Sequence, residues 1–420
     1  MKSKILIGFI VFIYSTNAAF SQETKPTPTP ERPRVIVSNP TPLPTPAQKV
    51  NVAVPSPTTT SIPATLISKI PLAIATSPTF YKPLSLKQIK SKLAEAKRQM
   101  QARPIPTALT DSFLITDVIR IAFYDYQTAQ VDYIVMTKES FLAKNTENAT
   151  TTANGKFVTV KNIRANGVNT PVLIVDTENK AHLPLMVQYP VERDGKFYEM
   201  AFYISTHPGI VTPEVVNAGK IYIRNILDAA RENLRKKSVF ISPQVTDMAE
   251  RLAIVEHVDH QRFRNEYHLN IFNDIYALYA LNEGQTYRYS VSSAGAGGMV
   301  QMIPSTYRLI RSRYNNVGLM PDFVEGMRNH GNAAQAMLLY MQMTWDELIV
   351  NDTVSAAIES GIAKPAELMS AGYNSNPAKL AGYIRRGGAN WKTLIPRETK
   401  IYLQINESMD KYVSVNPRTK

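Results

Sequence analysis

The spacing of apolar residues changes midway along the chain, and that change constrains the fold more than any other feature. From about Thr110 to Ser205 the sequence reads as strands. The runs 117–123, 131–136, 157–160, 172–175, 185–189 and 197–204 are rich in β-branched and aromatic residues, and several alternate. Asn154-Gly155, Asn166-Gly167 and Asp194-Gly195 fall between runs, and such pairs favour tight hairpins. A helix is expected over 213–236, with Ile221, Ile223, Ile226 and Leu227 among its apolar positions. From about Pro243 the spacing becomes helical, over 244–258, 270–282, 304–314, 331–348, 352–360, 365–371 and 377–384. Pro304, Pro365 and Pro377 stand where a helix tolerates proline, in its first turn. The expected class is α+β, with a strand-rich antiparallel domain over 105–240 and a mainly helical domain over 241–410.

The first 104 residues have a different character. Lys2 and Lys4 precede an apolar run over 5–14, and small and polar residues lead to Ala19-Phe20-Ser21. This pattern is that of an export signal over 1–21. The run is short for a bilayer-spanning helix, so an uncleaved N-terminal anchor is the lesser alternative. The chain is thus expected to be exported and periplasmic or envelope-associated. The chain has no cysteine, which excludes disulfides, thiolate metal sites and lipid attachment through a cysteine. Residues 22–84 are rich in proline and threonine. Proline removes backbone donors and favours extended chain, so this stretch is expected to be a disordered tether. A short helix over 85–104 follows, with Ser85 as its N-cap, apolar Leu86, Ile89, Leu93 and Met100, and an end near Pro104. The net charge of +13 suits an anionic partner, and export makes nucleic acid the least fitting of these. No cofactor is implied.

The chemistry concentrates in residues 279–307. A helix with Ile271, Ile275, Leu278 and Leu281 is expected to end at Asn282-Glu283-Gly284, with Gly284 in the left-handed conformation that closes such helices. Glu283 would then sit at a helix C-terminus, where the macrodipole disfavours its negative charge. That favours a protonated acid near neutral pH. A run of small residues follows, from Ser292 to Gly298. It is not a phosphate loop, because no strand precedes it and no Lys-Ser/Thr follows.

These residues resemble the signature of the lytic transglycosylases, peptidoglycan-cleaving enzymes with a goose-type lysozyme fold. The matching elements are Glu283, Ser292, Gly295-Ala296-Gly297-Gly298, Met299-Val300, Gln301, Pro304 and Thr306. Two later blocks recur in the family's order: Ala371-Gly372-Tyr373-Asn374, and Pro396-Arg397-Glu398-Thr399 with Tyr402. Residues 332–340 fit the family's long core helix. The chain departs from the pattern at Gly284, where the family has Ser, at Met299-Val300, and at Ser375-Asn376. The resemblance implies that Glu283 protonates the bond between N-acetylmuramic acid and N-acetylglucosamine, then accepts the proton of the muramoyl 6-hydroxyl. A 1,6-anhydro sugar results, formed without water and without metal. By the same resemblance Ser292, Gln301, Tyr373, Asn374 and Glu398 line the cleft, with Glu398 alternatively a structural residue. The implied partner is the peptidoglycan glycan strand. Other envelope proteins are conceivable partners for the strand-rich domain or the tether.

Other readings compete. Glu256 also follows an apolar helix and is the rival acid. His257 and His260 beside it would suit a metal site, but the His-Glu-x-x-His spacing is absent. A non-catalytic wall-binding scaffold and a water-using muramidase fit the same residues. Tyr276, Tyr279, Trp345 and Trp391 read as packing residues rather than sugar platforms.

Overall fold

The computed structural model describes residues 83–105, 114–164, 170–193, 195–282, 284 and 295–419. The expected export signal, the tether up to residue 82, the Asn166-Gly167 turn, Asp194, Glu283 and Ser292 lie outside the described residues. The described chain is mixed α and β, with an antiparallel curled sheet in its N-terminal half and helices in its C-terminal part.

Helix α1 (Leu86–Ala102) starts where its sequence predicts. The Ser85 hydroxyl accepts the Gln88 N–H, and the Gln88 side chain accepts the Ser85 N–H. Its stripe of Ile89, Leu93, Ala96 and Met100 is buried against Leu183, Leu185, Phe202 and Ile204 of the sheet. Buried Arg120 fixes the other end, donating to the carbonyls of Met100 (2.7 Å) and Arg103 (2.8 Å). Those carbonyls are the unsatisfied acceptors that a helix C-terminus leaves, and a cation is favoured there.

The sheet contains β1 (Val118–Asp125), β2 (Gln130–Thr137), β3 (Glu147–Thr151), β4 (Phe157–Asn162), β5 (Val172–Asp176), β6 (Ala181–Arg193) and β7 (Lys196–Ile204), with the short helix α2 (Lys138–Leu142) after β2. Its order is β2-β1-β6-β5-β4-β3, and β7 also pairs with β6. Strand β6 serves three partners in turn: β5 at its start, β1 over Leu183–Gln188 and β7 over Met186–Arg193. A sheet branching from one twisted strand must curl. Ile119, Ile121 and Phe123 of β1 face a second cluster with Phe141, Val160 and Ile174. The β3–β4 hairpin turns at Gly155, as its Asn-Gly pair predicts.

Helix α3 (Pro213–Arg235) bridges the two halves. Val215 packs into the sheet cluster, whereas Val216, Ile223, Leu227, Ala230 and Leu234 belong to the helical core. Sequence groups this helix with the strands; its apolar face turns mostly the other way. The Glu214 carboxylate in its first turn accepts the Leu86 N–H at 2.8 Å, tying α3 to α1.

Helices α4 (Pro243–Val255), α5 (His260–Asn265), α6 (His268–Leu281), α7 (Pro304–Arg313) and α8 (Phe323–Arg328) follow. Then come α9 (His330–Ile349), α10 (Asp352–Glu359), α11 (Pro365–Asn374), α12 (Leu380–Gly387) and α13 (Arg397–Tyr412). Helix α9 is buried on almost every side, which marks it as the centre of the helical core. Trp345 and Trp391 pack into that core. No described helix is long and apolar enough to cross a membrane.

Where α3 crosses α6, backbone meets backbone. A Cβ on Gly219 would lie 2.0 Å from the Tyr276 carbonyl oxygen. Gly219→Ala must therefore push the helices apart, at a cost of about 1–3 kcal/mol, read as a thermal midpoint lowered by several degrees. Gly382→Ala on α12 meets only the Arg386 guanidinium, at 3.4 Å, and should leave the midpoint unchanged or raise it, since alanine favours helix over glycine. Equal midpoints for the two variants would contradict the close crossing.

Candidate active site

Helix α6 is anchored by Ile271, Phe272, Ile275, Tyr276 and Tyr279, all buried. It ends at Leu281, and both the backbone and side-chain N–H groups of Asn282 donate to the Leu278 carbonyl, at 2.9 and 3.0 Å. Gly284 has φ +83°, the left-handed value expected of it. Its N–H donates to the Tyr222 hydroxyl at 2.6 Å, and its carbonyl accepts the His330 N–H at 3.1 Å. The backbone immediately after Glu283 is thus held from both sides, by α3 and by the first turn of α9.

The Tyr222 hydroxyl also lies 2.8 Å from His330 Nδ1. That hydroxyl accepts from Gly284, and the direction of its contact with the ring follows the imidazole tautomer. Burial pushes His330 down to about 4, which favours the neutral ring. The rings of Tyr222 and Tyr279 close around it at 5.8 and 6.1 Å.

The small-residue loop is described from Gly295 onward. Gly297 and Met302 form an isolated bridge, with the Gly297 N–H on the Met302 carbonyl at 2.9 Å. Gly298 has φ +67°, and a Cβ there would meet the Met327 carbonyl oxygen at 2.1 Å, so both conformation and space require glycine. Gln301 adopts φ +46° without being glycine, which costs roughly 1–2 kcal/mol. Its side-chain amide donates to the Gly298 carbonyl at 2.9 Å. Strain of this kind, held by the surrounding structure, is common where a loop serves a site.

Three parts of the core grip this loop. The Met299 carbonyl lies 2.9 Å from His257 Nε2 and 3.1 Å from the Tyr279 hydroxyl. The Val300 carbonyl accepts the Tyr373 hydroxyl at 2.7 Å. Asn374, the next residue, accepts the Thr399 hydroxyl at 2.9 Å. Glu398 is half-buried in the first turn of α13, where the helix dipole favours a carboxylate. Tyr402, one turn further, donates to Glu256 at 2.8 Å. The three sequence blocks are therefore joined by consecutive hydrogen bonds.

Gln301, Tyr373 and Asn374, expected to line a sugar cleft, are each buried, and they bond to Gly298, Val300 and Thr399 respectively. Tyr276 and Tyr279 are buried in the core, as is Trp391, whose indole donates to the Ile362 carbonyl. Among the described residues no group of three or more His, Asp or Glu is placed to hold a metal ion. His257 and His260 sit on different sides of a helix break, one after α4 and one opening α5. Sequence reasoning missed Tyr222 and His330. Tyr222 lies 62 residues from Gly284 in a helix with no motif, and only the fold brings it there.

Comparison with models of protein families, with curated proteins and with solved structures finds no match for this chain. The resemblance therefore rests on the motif residues themselves.

The His330 site makes stability depend on pH. Its folded value near 4 lies below the ordinary 6.5, so between these values only the unfolded chain takes up the proton. The contribution is complete above about pH 6.5 and is lost as pH falls toward 4, amounting to roughly 3 kcal/mol. His207, also pushed down to about 4 by burial, acts in the same sense. Urea midpoints measured from pH 7 to 4.5 should fall, and His330→Gln should flatten the slope. A wild-type midpoint that stays constant over this range would contradict neutral buried imidazoles.

Proposed function

We propose that this chain is an exported peptidoglycan lytic transglycosylase whose helical part has the lysozyme-like fold. Glu283 is its acid and then its base. The single observation supporting this most is the joining of the three signature blocks. Tyr373 bonds to Val300, and Asn374 bonds to Thr399, so residues about 70 and 25 positions apart form one cluster. A chance set of short motifs has no reason to converge in this way.

In this reading the fold supplies a firmly held platform. The dipole of α6 disfavours an ionised Glu283 and so favours the proton-donating form. Tyr222 and His330 hold the following peptide, which limits how far the carboxyl can wander from the scissile oxygen. After donation, the carboxylate takes the proton of the 6-hydroxyl as that oxygen closes on C1. The C1–O4 bond breaks, the C1–O6 bond forms, and no water is consumed. Gln301, Tyr373 and Asn374 act by shaping the loop, Ser292 binds sugar or orients Glu283, and Glu398 borders the cleft. Glu256 suits the acid role less well. The Tyr402 hydroxyl that it accepts stabilises its carboxylate form.

Digestion of purified peptidoglycan followed by mass analysis of the muropeptides tests the reading. Anhydro ends are expected, reducing ends would indicate a muramidase, and no release would indicate a wall-binding scaffold. Glu283→Gln should lower release by at least about 100-fold with an unchanged thermal midpoint. Full activity in that variant would transfer the role to Glu256.

A further inference from the structure

A groove of about 270 Å3 runs between α1, the sheet and the end of α6. Leu93, Met186, Phe202 and Ile204 give it an apolar floor, and Leu281 with Asn282 forms one end. Lys90 and Lys97, two turns apart on α1, border it, and the Lys97 ammonium stands 5.7 Å from the centre of the Phe202 ring. Helix α1 also carries Lys87, Lys92 and Arg98, with Glu95 its one acidic residue. The groove therefore combines an apolar floor with a cationic rim.

We propose that this groove binds the peptide stem of the muramoyl residue being cleaved, an inference that rests on the assignment of Glu283. Position is the first argument. Asn282 is joined directly to Glu283, so the two Cα atoms are about 3.8 Å apart. The stem hangs from the same muramoyl ring whose glycosidic oxygen Glu283 protonates, so a stem leaving that ring starts beside this groove. Chemistry is the second. Stems alternate small aliphatic side chains with free carboxylates. The aliphatic groups suit the floor, and the carboxylates suit lysines spaced about 10 Å apart along the helix. The glycan itself is uncharged and polar, and matches neither the floor nor the rim. Size is the third. A space slightly below the usual small-ligand range of about 300–1,000 Å3 accommodates a few small residues rather than a long chain.

On this view α1 and the sheet select substrate, and the helical part cuts it. Two measurements on the full chain test the groove. The first compares cleavage of intact strands with strands stripped of their stems by an amidase. Lys90→Glu with Lys97→Glu should lower the ratio of the two kcat/KM values by at least about tenfold, equivalent to about 1.4 kcal/mol. An unchanged ratio would overturn the proposal. The second titrates the tetrapeptide freed by the amidase into the Glu283→Gln variant, with or without the charge reversals, by calorimetry. Saturable binding that the reversals abolish supports the groove. Absence of saturable binding, or binding indifferent to the reversals, overturns it. This arm requires no turnover, so it decides the groove even if Glu283 proves not to be the acid. Circular dichroism on the reversed variant shows that it is folded, since both lysines are partly exposed.

Discussion

Helices α3 and α6 touch at Gly219 with no side chain between them, and the site is assembled outward from that contact. Gly219 and Tyr222 are one turn apart on α3, so the close approach at the first delivers the hydroxyl of the second to the end of α6. From there the contacts continue in a chain. Tyr222 holds Gly284 and His330, while Tyr279 packs on His330 and reaches the Met299 carbonyl. Each hydrogen bond is worth only about 0.5–1.5 kcal/mol net. Their geometry is fixed because the helices that carry them are held by apolar burial, worth about 25 cal/mol for each Å2 removed from water. The polar groups do not hold the site together; they specify which arrangement of the packed helices is occupied.

Much of this architecture was legible in the residues. The switch from alternation to helical spacing separates sheet from helices, Ser85 caps α1, Asn154-Gly155 makes a hairpin, and Gly284 takes the left-handed conformation. The polar strand β3 was not legible. Its sequence Glu-Asn-Ala-Thr-Thr has little strand preference, and pairing with β4 alone forms it. A polar strand at the edge of a sheet also discourages further pairing there. The allegiance of α3 was hidden too, because periodicity shows that a helix has an apolar face but not which neighbour receives it. The same limit applies to Tyr373. Motif order suggests a residue facing sugar, but whether its hydroxyl turns outward or onto the Val300 carbonyl is decided by packing that no spacing records. Tyr222 and His330 are the extreme case. Their role exists only through contacts across 62 and 108 residues.

The buried imidazole of His330 is kept neutral by the cost of desolvating a charged ring. Its Nδ1 and its backbone N–H reach the Tyr222 hydroxyl and the Gly284 carbonyl, so one residue ties α9 to α3 and to the chain that follows α6. The strained Gln301 lies at the other end of this assembly, in a loop whose carbonyls are taken up by Tyr279, His257 and Tyr373. A conformation that is unfavourable alone persists because its neighbours leave it no alternative.

The 23 residues of α3 form one unbroken rod roughly 35 Å long. Its first turn is bonded to α1 through Glu214 and Leu86, and its middle touches the peptide after Glu283 through Tyr222. Sliding it by a single residue, about 1.5 Å, would alter the 2.6 Å contact at Gly284. The sheet side and the loop side therefore share one mechanical coordinate. One helix thus carries both a contact to α1 and a contact to the peptide that follows Glu283.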